Sequence, residues 1–269
     1  MSGGLEVTEP PAAKAAAPLV LLHGLLSTPR EFSLIAPLLQ ANGRSMIAPT
    51  IAGYTEARDR RRVRWRSWLD EAEVAVREQV RLAGRDCALG GMCSGGLLAA
   101  ALVIEGRLPA RSLVLMSPTF AFDGWGRTAL WRWRHLAYGL GVSGWFSVNE
   151  RSPYGVKDVR IRAWIESDMK RRQRSAAGPL ALPLWAVHET EKLADYVRRR
   201  IGDIRVPMLV IHSREDEVCR LRTVRRVLAG TDPSRTALRV LENSFHMITL
   251  DHDRRQVAAE LRDFVDWSA

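Results

Sequence analysis

The chain contains the segment Leu89-Gly90-Gly91-Met92-Cys93-Ser94-Gly95-Gly96, which lies between a predicted strand, 87–91, and a predicted helix, 94–104. Its centre has the pattern G-x-C-x-G, with glycine two residues before and two residues after Cys93. In a sharp strand-to-helix turn the central side chain projects above the edge of the sheet, and bulk at the flanking positions would collide with neighbouring backbone. The pattern therefore predicts that Cys93 occupies a tight, strained turn with its thiol presented for chemistry.

Predicted strands and helices alternate on both sides of this turn. Apolar runs bounded by turn residues predict strands at 18–23, 87–91, 112–116 and 207–212, with weaker candidates at 45–48 and 237–241. The spacing of apolar residues predicts helices at 65–82, 94–104, 218–228 and 255–265. Such alternation predicts the α/β fold class, with a mostly parallel central sheet and helices on both of its faces.

One connection is far longer than the others. Residues 120–200 separate two predicted strands by more chain than an ordinary connection needs, and they hold six of the nine tryptophans. We interpret 120–200 as an inserted helical cap, and 18–119 together with 201–269 as the α/β core. Residues 1–17 are rich in proline and alanine and lack an apolar stretch, so they predict a disordered tail and not a secretory signal.

At the Cys93 turn the chain resembles the α/β-hydrolase superfamily. Most members place serine at the centre of this turn, and the resemblance here is to members with cysteine, namely dienelactone hydrolases and polyhydroxyalkanoate synthases. Ser94 is a poor alternative nucleophile, because the residue two positions before it is Met92, which is not small. The alternative without chemistry is a buried structural cysteine beside a glycine-rich turn.

In this superfamily an acid and then a histidine follow the nucleophile along the chain. The residues after the strand at 207–212 resemble the acid loop, with Ser213 where glycine is usual. Spacing from the strand and the valine that follows favour Asp216 over Glu215 and Glu217. The alternative is an acidic surface loop without a catalytic role.

The segment from Ser244 to Asp251 resembles the histidine loop of the superfamily, S-x-H-x-x-x-x-D, which precedes the last helix. The resemblance implies that His246 is the catalytic base. A single histidine is more often a packed or surface residue, and the chain has five others. Three motifs in the expected order, each directly after a predicted strand, favour a triad of Cys93, His246 and Asp216.

The turn His23-Gly24-Leu25 ends the first clear strand. In the superfamily the corresponding turn presents a backbone N–H to the substrate oxyanion. The resemblance therefore implies an oxyanion hole formed by the N–H groups of Leu25 and Ser94, the second at a helix N-terminus whose dipole also favours negative charge. We interpret His23 as a structural hydrogen-bonding residue and not as a base.

A cysteine nucleophile widens the range of reactions. A neighbouring imidazole and a helix N-terminus favour the thiolate, so the sequence predicts a Cys93–His246 ion pair. Attack on a carbonyl gives an acyl-cysteine, a thioester that can pass its acyl group to water, an alcohol, an amine or a thiol. In length and motif layout the chain resembles small carboxylesterases and monoacylglycerol-lipase-like enzymes, which implies hydrolysis of a carboxylic ester or thioester.

Two other functions stay open at this point. The first is an acyltransferase or condensing enzyme that passes an acyl group from a thioester carrier to an acceptor. The second is a binding protein without catalysis on the same scaffold, although a complete triad argues against it. Release of free acid, or product formed only with an added acceptor, separates the first two.

The net charge of the chain is +10, and arginine supplies most of the positive charge. One interpretation is solvated arginine-rich faces; another is an acidic partner such as a carrier protein, a phosphorylated thioester or an anionic membrane surface. Nucleic acid is disfavoured as a partner, because no binding motif accompanies the charge.

In the cap, arginines alternate with tryptophans around Trp131 and Trp164, so we predict either tryptophans packed on the core or an apolar acyl pocket with a basic rim.

The three cysteines are odd in number and lack metal-ligand spacing, so we expect neither a disulfide framework nor a zinc site. A reducing cytoplasm fits three free thiols and keeps a catalytic thiol active.

The most apolar stretch, 97–104, is too short to cross a bilayer, so no transmembrane helix is predicted. We expect a small-molecule acyl ester or thioester as substrate, free or bound to a carrier, and no cofactor; the oligomeric state is left open.

Overall fold

The structure is a computed structural model and describes residues 18–55, 63–83, 86–126, 131 and 133–268. The central sheet is built from β1 (Leu19–Leu22), β2 (Met46–Ile47), β3 (Cys87–Met92), β4 (Ala110–Met116), β9 (Met208–Ser213) and β10 (Thr236–Leu241). The strand order is β10-β9-β4-β3-β1-β2, and every neighbouring pair is parallel. All six predicted strands are confirmed, including the two weaker candidates. The predicted tail, 1–17, lies outside the described residues.

The sheet is covered on both faces, as predicted. Successive residues of β1 point to opposite sides, so Val20 and Leu22 join one hydrophobic core while Leu19 and Leu21 join the other. The helices are α1 (Ala36–Gln40), α2 (Trp65–Ala83), α3 (Ser94–Ile104), α4 (Arg134–Gly139), α5 (Val159–Arg172), α6 (Leu184–Arg200), α7 (Leu221–Leu228) and α8 (Arg254–Trp267). The first core contains residues of α2, α3, α6 and α7, and the second contains residues of α1, α5 and α8.

The long segment 120–200 contains more than helices. Besides α4, α5 and α6 it forms two antiparallel strand pairs, β5 (Ser147–Asn149) with β8 (Ala181–Pro183) and β6 (Arg174–Ser175) with β7 (Gly178–Pro179). The apolar face of α6 packs into the core beside α3, so part of this segment belongs to the helix layer over the sheet. A separate cap with the boundaries 120–200 stays a prediction. Among the helices described, none combines the length and the apolar composition needed to span a bilayer.

The carboxyl ends of the parallel strands bring distant parts of the chain to one edge of the sheet. Gly24 lies just beyond β1 and Cys93 directly beyond β3, while Asp216 and His246 follow β9 and β10. Parallel strands end at the same edge, and in open α/β sheets this edge is where ligands bind. The fold therefore gathers these residues in one region.

Candidate active site

Cys93 occupies a strained turn between β3 and α3. Its backbone φ is +57°, a left-handed value that costs a residue other than glycine about 1–3 kcal/mol. A Cβ atom on Gly91 would lie 2.5 Å from the backbone carbonyl carbon of Gly95 and 2.6 Å from the carbonyl oxygen of Leu22. A Cβ atom on Gly95 would overlap the carbonyl oxygen of His23. Both flanking positions therefore require glycine, for the steric reason inferred from the sequence.

The thiol of Cys93 is the most accessible of the three. Cys93 is half-buried, whereas Cys87 and Cys219 are buried in the core. Burial raises the pKa of the Cys87 thiol to about 11, and burial together with the charge of Asp216 raises that of Cys219 further. The Sγ atom of Cys93 shares a hydrogen bond of 3.1 Å with the hydroxyl of Thr119, a buried residue beyond the end of β4.

His246 and Asp216 are paired in the core of the site. The Nδ1–H group of His246 donates a hydrogen bond of 2.8 Å to Oδ2 of Asp216, and both residues are buried. The other carboxylate oxygen accepts hydrogen bonds from the backbone N–H groups of Val218 at 2.8 Å and Cys219 at 2.9 Å. The structure thus brings Asp216 to the imidazole. Its neighbour Glu215 is exposed and forms an ion pair with Lys157.

A second buried histidine supports the acid loop. The Nε2 atom of His212 lies 2.8 Å from the carbonyl oxygen of Cys219 and 3.7 Å from Oδ2 of Asp216. Burial lowers the pKa of His212, which keeps this ring neutral. His212 therefore helps to hold the loop that carries Asp216.

The loop that carries His246 is anchored by Asp251, the last residue of its motif. Asp251 is fully buried, and its carboxylate accepts four backbone N–H groups, those of Lys157 at 2.7 Å, Asp158 at 2.8 Å, Phe245 at 2.8 Å and His252 at 2.9 Å. Phe245 precedes His246 in the chain and His252 follows Asp251, while Lys157 and Asp158 lie just before α5. The motif spacing recognised in the sequence thus has a structural cause, because Asp251 fixes the loop to the segment before α5.

The electrostatic environment favours a charged imidazole. Burial lowers the pKa of His246, but Asp216 and Cys93 oppose this effect, and the net result is a pKa well above the ordinary histidine value. Burial raises the pKa of Asp216, but the charge of His246 and the hydrogen bonds from His246 and Cys219 outweigh it, so the net pKa lies below the usual range. The Nε2 atom of His246 is buried and makes no well-formed hydrogen bond within the described chain. Cys93 is still near enough to raise its pKa, so Nε2 is the atom available to exchange a proton with the thiol.

Leu25 and Cys93 line one small cavity, and Ser94 is the residue that follows Cys93. No hydrogen bond within the described residues involves the N–H group of Leu25 or that of Ser94, the first residue of α3. The side chain of Ser94 is directed elsewhere, to a 2.6 Å hydrogen bond with Tyr54. His23 is fully buried, shares a hydrogen bond of 2.6 Å with Thr55 and stacks on Tyr54, which agrees with a structural role.

Two cavities adjoin the site. A small cavity of about 80 Å³ is lined by Cys93, His246 and Leu25, and an outer cavity of about 770 Å³ shares Glu150, Glu217 and Val218 with it. Aromatic side chains line the outer cavity, namely Trp125, Trp131, Trp133 and Phe146.

The two tryptophans singled out in the sequence lie in different places. Trp131 lines the outer cavity, whereas Trp164 packs against the second core and lines neither cavity. Of the two arginines at the outer cavity, Arg134 is paired with Glu191, and Arg151 is exposed. The expected basic rim is therefore reduced to one exposed arginine among the described lining residues.

Three residues in this region carry little or no signal in the sequence. Thr119 follows β4, and its position beyond a strand end is the signal that was available. Glu31 and Glu217 line the small cavity. In the sequence Glu217 stands out only as a rival to Asp216, and Glu31 lies in an ordinary polar segment after the His23 turn, where no motif points to it.

Comparison with known proteins identifies the family. Residues 13–253 match the family described as Hydrolase_4: Serine aminopeptidase, S33. Among curated proteins, none matches the chain in sequence.

Solved structures agree in fold. Monoacylglycerol lipase from Paleococcus ferrophilus superposes with a TM-score of 0.71 at 16% identity, covering 95% of this chain and 96% of that one. A soluble variant of monoglyceride lipase from Saccharomyces cerevisiae gives a TM-score of 0.77 at 13% identity, covering 96% of this chain and 88% of that one. A thioesterase domain from the curacin biosynthetic pathway gives a TM-score of 0.60 at 13% identity, covering 94% and 92%.

The family match extends over nearly the whole chain, including every motif identified above, and the structural matches share its sheet and helix arrangement. The family description names serine, whereas the residue in the strained turn here is Cys93. The chain belongs to the serine aminopeptidase S33 family and is an enzyme with the α/β-hydrolase fold.

Proposed function

We propose that this enzyme hydrolyses a carboxylic ester or thioester through an acyl-cysteine intermediate formed on Cys93. The observation that carries the proposal is the pairing of a buried His246 with Asp216, while Cys93 lines the same small cavity as His246 and is near enough to raise the pKa of the ring. This is the arrangement that an activated nucleophile requires: a base next to the nucleophile and a third group that orients the base.

The reaction would proceed in two stages. In the first, Nε2 of His246 takes the thiol proton, Sγ attacks the carbonyl carbon, and the tetrahedral oxyanion is stabilised by the N–H groups of Leu25 and Ser94. The imidazolium then gives its proton to the leaving alcohol or thiol. In the second, His246 takes a proton from water, the resulting hydroxide attacks the acyl-cysteine, and the acid leaves as Sγ is restored. Each oxyanion donor of this kind contributes roughly 3–4 kcal/mol of transition-state stabilisation.

An acyltransferase is the second candidate, because the small cavity opens onto the outer cavity through shared residues. One cavity can hold the acyl group while the other holds an acceptor alcohol, amine or thiol.

We place either reaction in a reducing compartment such as the cytoplasm, since the nucleophile and two further cysteines are free thiols. Trp131, which lines the outer cavity, remains a proposed substrate contact, and the proposal leaves Trp164 out.

The test compares wild type with Cys93→Ala and Cys93→Ser on p-nitrophenyl butyrate. Cys93→Ala should lower kcat/KM on the order of a million-fold without changing the circular dichroism spectrum, because the nucleophile acts as a unit with its base. Intact-mass measurement on wild type should show a butyryl adduct that neutral hydroxylamine removes, as expected for a thioester. Turnover by Cys93→Ala close to that of wild type would exclude the proposal.

A second measurement separates the two candidates. Free butyrate released in the absence of any acceptor indicates hydrolysis, whereas a product that forms only after an alcohol or amine is added indicates transfer. If no activated ester acylates the protein, a binding protein without catalysis is favoured.

A further inference from the structure

The loop 51–55 follows β2 and contacts both segments that carry the proposed oxyanion donors. One of its hydroxyl groups bonds His23, in the turn that carries Leu25, and another bonds Ser94, the first residue of α3. The two donors come from distant parts of the chain, one after β1 and one after β3. One short loop therefore touches both halves of the proposed oxyanion hole.

This loop is held in one shape by its own hydrogen bonds. The backbone N–H of Ile51 donates to Oγ1 of Thr55 at 2.7 Å, and the N–H groups of Tyr54 and Thr55 donate to the carbonyl oxygen of Ile51 at 3.1 Å and 2.8 Å. Gly53 has a φ of +66°, a conformation that favours glycine. The side chains of Ile51 and Tyr54 are buried in the first core, so the loop is anchored as well as closed.

The hydroxyl of Thr55 fits one tautomer of His23. Nδ1 of His23 lies 2.9 Å from the carbonyl oxygen of Gly24, which can only accept, so Nδ1 carries the proton of the neutral ring. Nε2 is then the accepting nitrogen, and it lies 2.6 Å from Oγ1 of Thr55. Thr55 can donate to it because Oγ1 accepts its other hydrogen bond from the N–H of Ile51. The loop thus directs the Nδ1–H group of His23 towards Gly24.

The orientation of the Leu25 N–H follows from these bonds. The carbonyl oxygen of Gly24 accepts from Nδ1–H of His23 and also from the N–H of Ser27 at 3.2 Å. This carbonyl and the N–H of Leu25 belong to one planar trans peptide, in which the two groups point in opposite directions. Fixing the carbonyl therefore fixes the direction of the first oxyanion donor.

The second donor is held by Tyr54. Its hydroxyl shares a hydrogen bond of 2.6 Å with Oγ of Ser94, and both residues are fully buried. Ser94 directly follows Cys93, whose backbone is strained at a φ of +57°. The buried bond ties Ser94 to the closed loop, so the N–H of Ser94 keeps its direction while the turn stays strained.

The ring of Tyr54 links the two halves. It stacks on His23 with 5.2 Å between ring centroids and 19° between planes, and it meets Trp68 edge-on at 5.2 Å. Burial raises the pKa of Tyr54 well above its ordinary value, so the phenol stays protonated and takes no part in proton transfer. Tyr54 is not among the described residues that line either cavity. It therefore acts on a substrate only through Ser94 and His23.

We propose that Tyr54 is a positioning residue that couples the two oxyanion donors: its hydroxyl holds Ser94 and its ring holds His23. The inference rests on the proposed function, because the oxyanion arises only when Sγ of Cys93 attacks a carbonyl. Donors that already point at the place where charge develops stabilise the transition state without reorganisation. Loss of the Tyr54 hydroxyl should therefore weaken binding of the oxyanion and leave binding of the uncharged substrate unchanged.

The first measurement compares wild type with Tyr54→Phe, which removes the hydroxyl and keeps the ring. With p-nitrophenyl butyrate we expect kcat to fall about tenfold at an unchanged KM, because the effect is confined to the transition state. The inhibitor 1,1,1-trifluoro-2-pentanone mimics that state: Sγ of Cys93 bonds to its carbonyl carbon, and the electron pair of the carbonyl π bond moves to oxygen. Its Ki should rise by the same factor, whereas the Ki of the unreactive amide N-phenylbutyramide should not change.

Further variants test the same bonds from their other ends. Ser94→Ala breaks the bond to Tyr54, so the double variant Tyr54→Phe/Ser94→Ala should lose no more activity than the less active single variant. Thr55→Val breaks the bond to His23 and should also raise the Ki of the ketone. Thr55→Ser keeps the hydroxyl and should retain tight binding.

Tyr196→Phe is the matched control. Tyr196 lies on α6, its hydroxyl accepts a 2.7 Å hydrogen bond from Arg200, and neither residue is among those described as lining the small or the outer cavity. Its kinetics should match those of wild type at a temperature below the Tm of every variant. An unchanged Ki of the ketone in Tyr54→Phe, equal increases for ketone and amide, or additive losses in the double variant overturn the proposal. If Tyr54→Phe does not fold, an unchanged Ki of the ketone in Ser94→Ala overturns it instead.

The inhibitor adduct separates failure of this inference from failure of the proposed function. The fluorine NMR signal of the adduct, titrated with pH, gives the pKa at which its oxygen becomes an oxyanion. Tyr54→Phe should raise that pKa by about one unit, the equivalent of tenfold weaker stabilisation. If wild type forms the adduct but turns over no ester, the hydrolase proposal fails and this pKa still decides the inference. Ester turnover with the same adduct pKa in both proteins overturns the inference alone, and no adduct in wild type overturns both.

Discussion

The Nδ1 atom of His246 lies 2.8 Å from Oδ2 of Asp216, and both side chains are buried. This contact joins the loop after β10 to the loop after β9 and fixes the tautomer of the ring. With Nδ1–H committed to the carboxylate, Nε2 is the basic nitrogen, and it is the atom left without a partner among the described residues. The contact therefore sets which side of the imidazole faces Cys93.

Asp216→Asn should lower kcat/KM by about ten-thousandfold, because an amide in this position favours the wrong tautomer of His246. Ester hydrolysis measured beside a circular dichroism spectrum separates this effect from unfolding. Glu215→Gln is the matched control, since Glu215 is exposed and pairs with Lys157. Equal losses in the two variants would contradict the assignment of Asp216.

Iodoacetamide at pH 7 should label Cys93 before Cys87 or Cys219. Cys93 is half-buried, whereas the other two are fully buried thiols with raised pKa values. Peptide mass spectrometry over a time course gives the order. Faster labelling of Cys87 or Cys219 in the folded protein would remove the case for an activated thiol at the turn.

Thr119→Val should reduce kcat/KM by about tenfold, the cost of one hydrogen bond to a reacting group. The hydroxyl of Thr119 lies 3.1 Å from Sγ of Cys93 and helps to hold the thiol in place. Thr119→Ser keeps the hydroxyl and should retain most of the activity. If the serine variant loses as much as the valine variant, packing of the methyl group and not the hydrogen bond is responsible.

Gly95→Ala should destroy the turn, because the new Cβ would overlap the carbonyl oxygen of His23. We expect loss of activity together with a clearly lower Tm in thermal unfolding. Gly139→Ala is the control: nothing lies within 4 Å of its Cβ position, so the Tm should stay near that of wild type. A Gly95→Ala enzyme with normal activity would contradict the steric account of the turn.

Glu31 should make folding stability fall as pH rises from about 4.5 to about 7. Its folded-state pKa is raised from 4.5 to about 7, so within this range the folded protein holds a proton that the unfolded chain has lost. Across this range the titration of Glu31 lowers the free energy of unfolding by roughly 3 kcal/mol. Chemical unfolding across this pH range should therefore show Glu31→Gln gaining on wild type as pH rises. A difference that does not change with pH would show that the carboxyl titrates normally, and Glu71→Gln, which changes an exposed residue of α2, serves as the comparison.

The local features of the fold could be predicted because their causes are local. Alternation of apolar runs with amphipathic segments is sufficient to place all six strands and the four predicted helices, although α7 begins at Leu221 and not at 218. The glycines at 91 and 95 signal the turn because the clash they avoid involves nearby backbone. The segment 120–200 was harder to interpret, since the short strands β5 to β8 lack a period long enough to recognise.

By itself, the sequence determined the parallel sheet, the strained turn and the order of its motifs, because strand periodicity and turn sterics depend on neighbours in the chain. Only the tertiary structure shows that Asp216 bonds the ring of His246 while Glu217 bonds its backbone, and that Glu31 lies beside Cys93. These contacts join segments far apart in sequence, and their geometry follows from how the strand ends pack together at one edge of the sheet. Burial, which sets the charge of each of these groups, is a property of that packing and of no single stretch of chain.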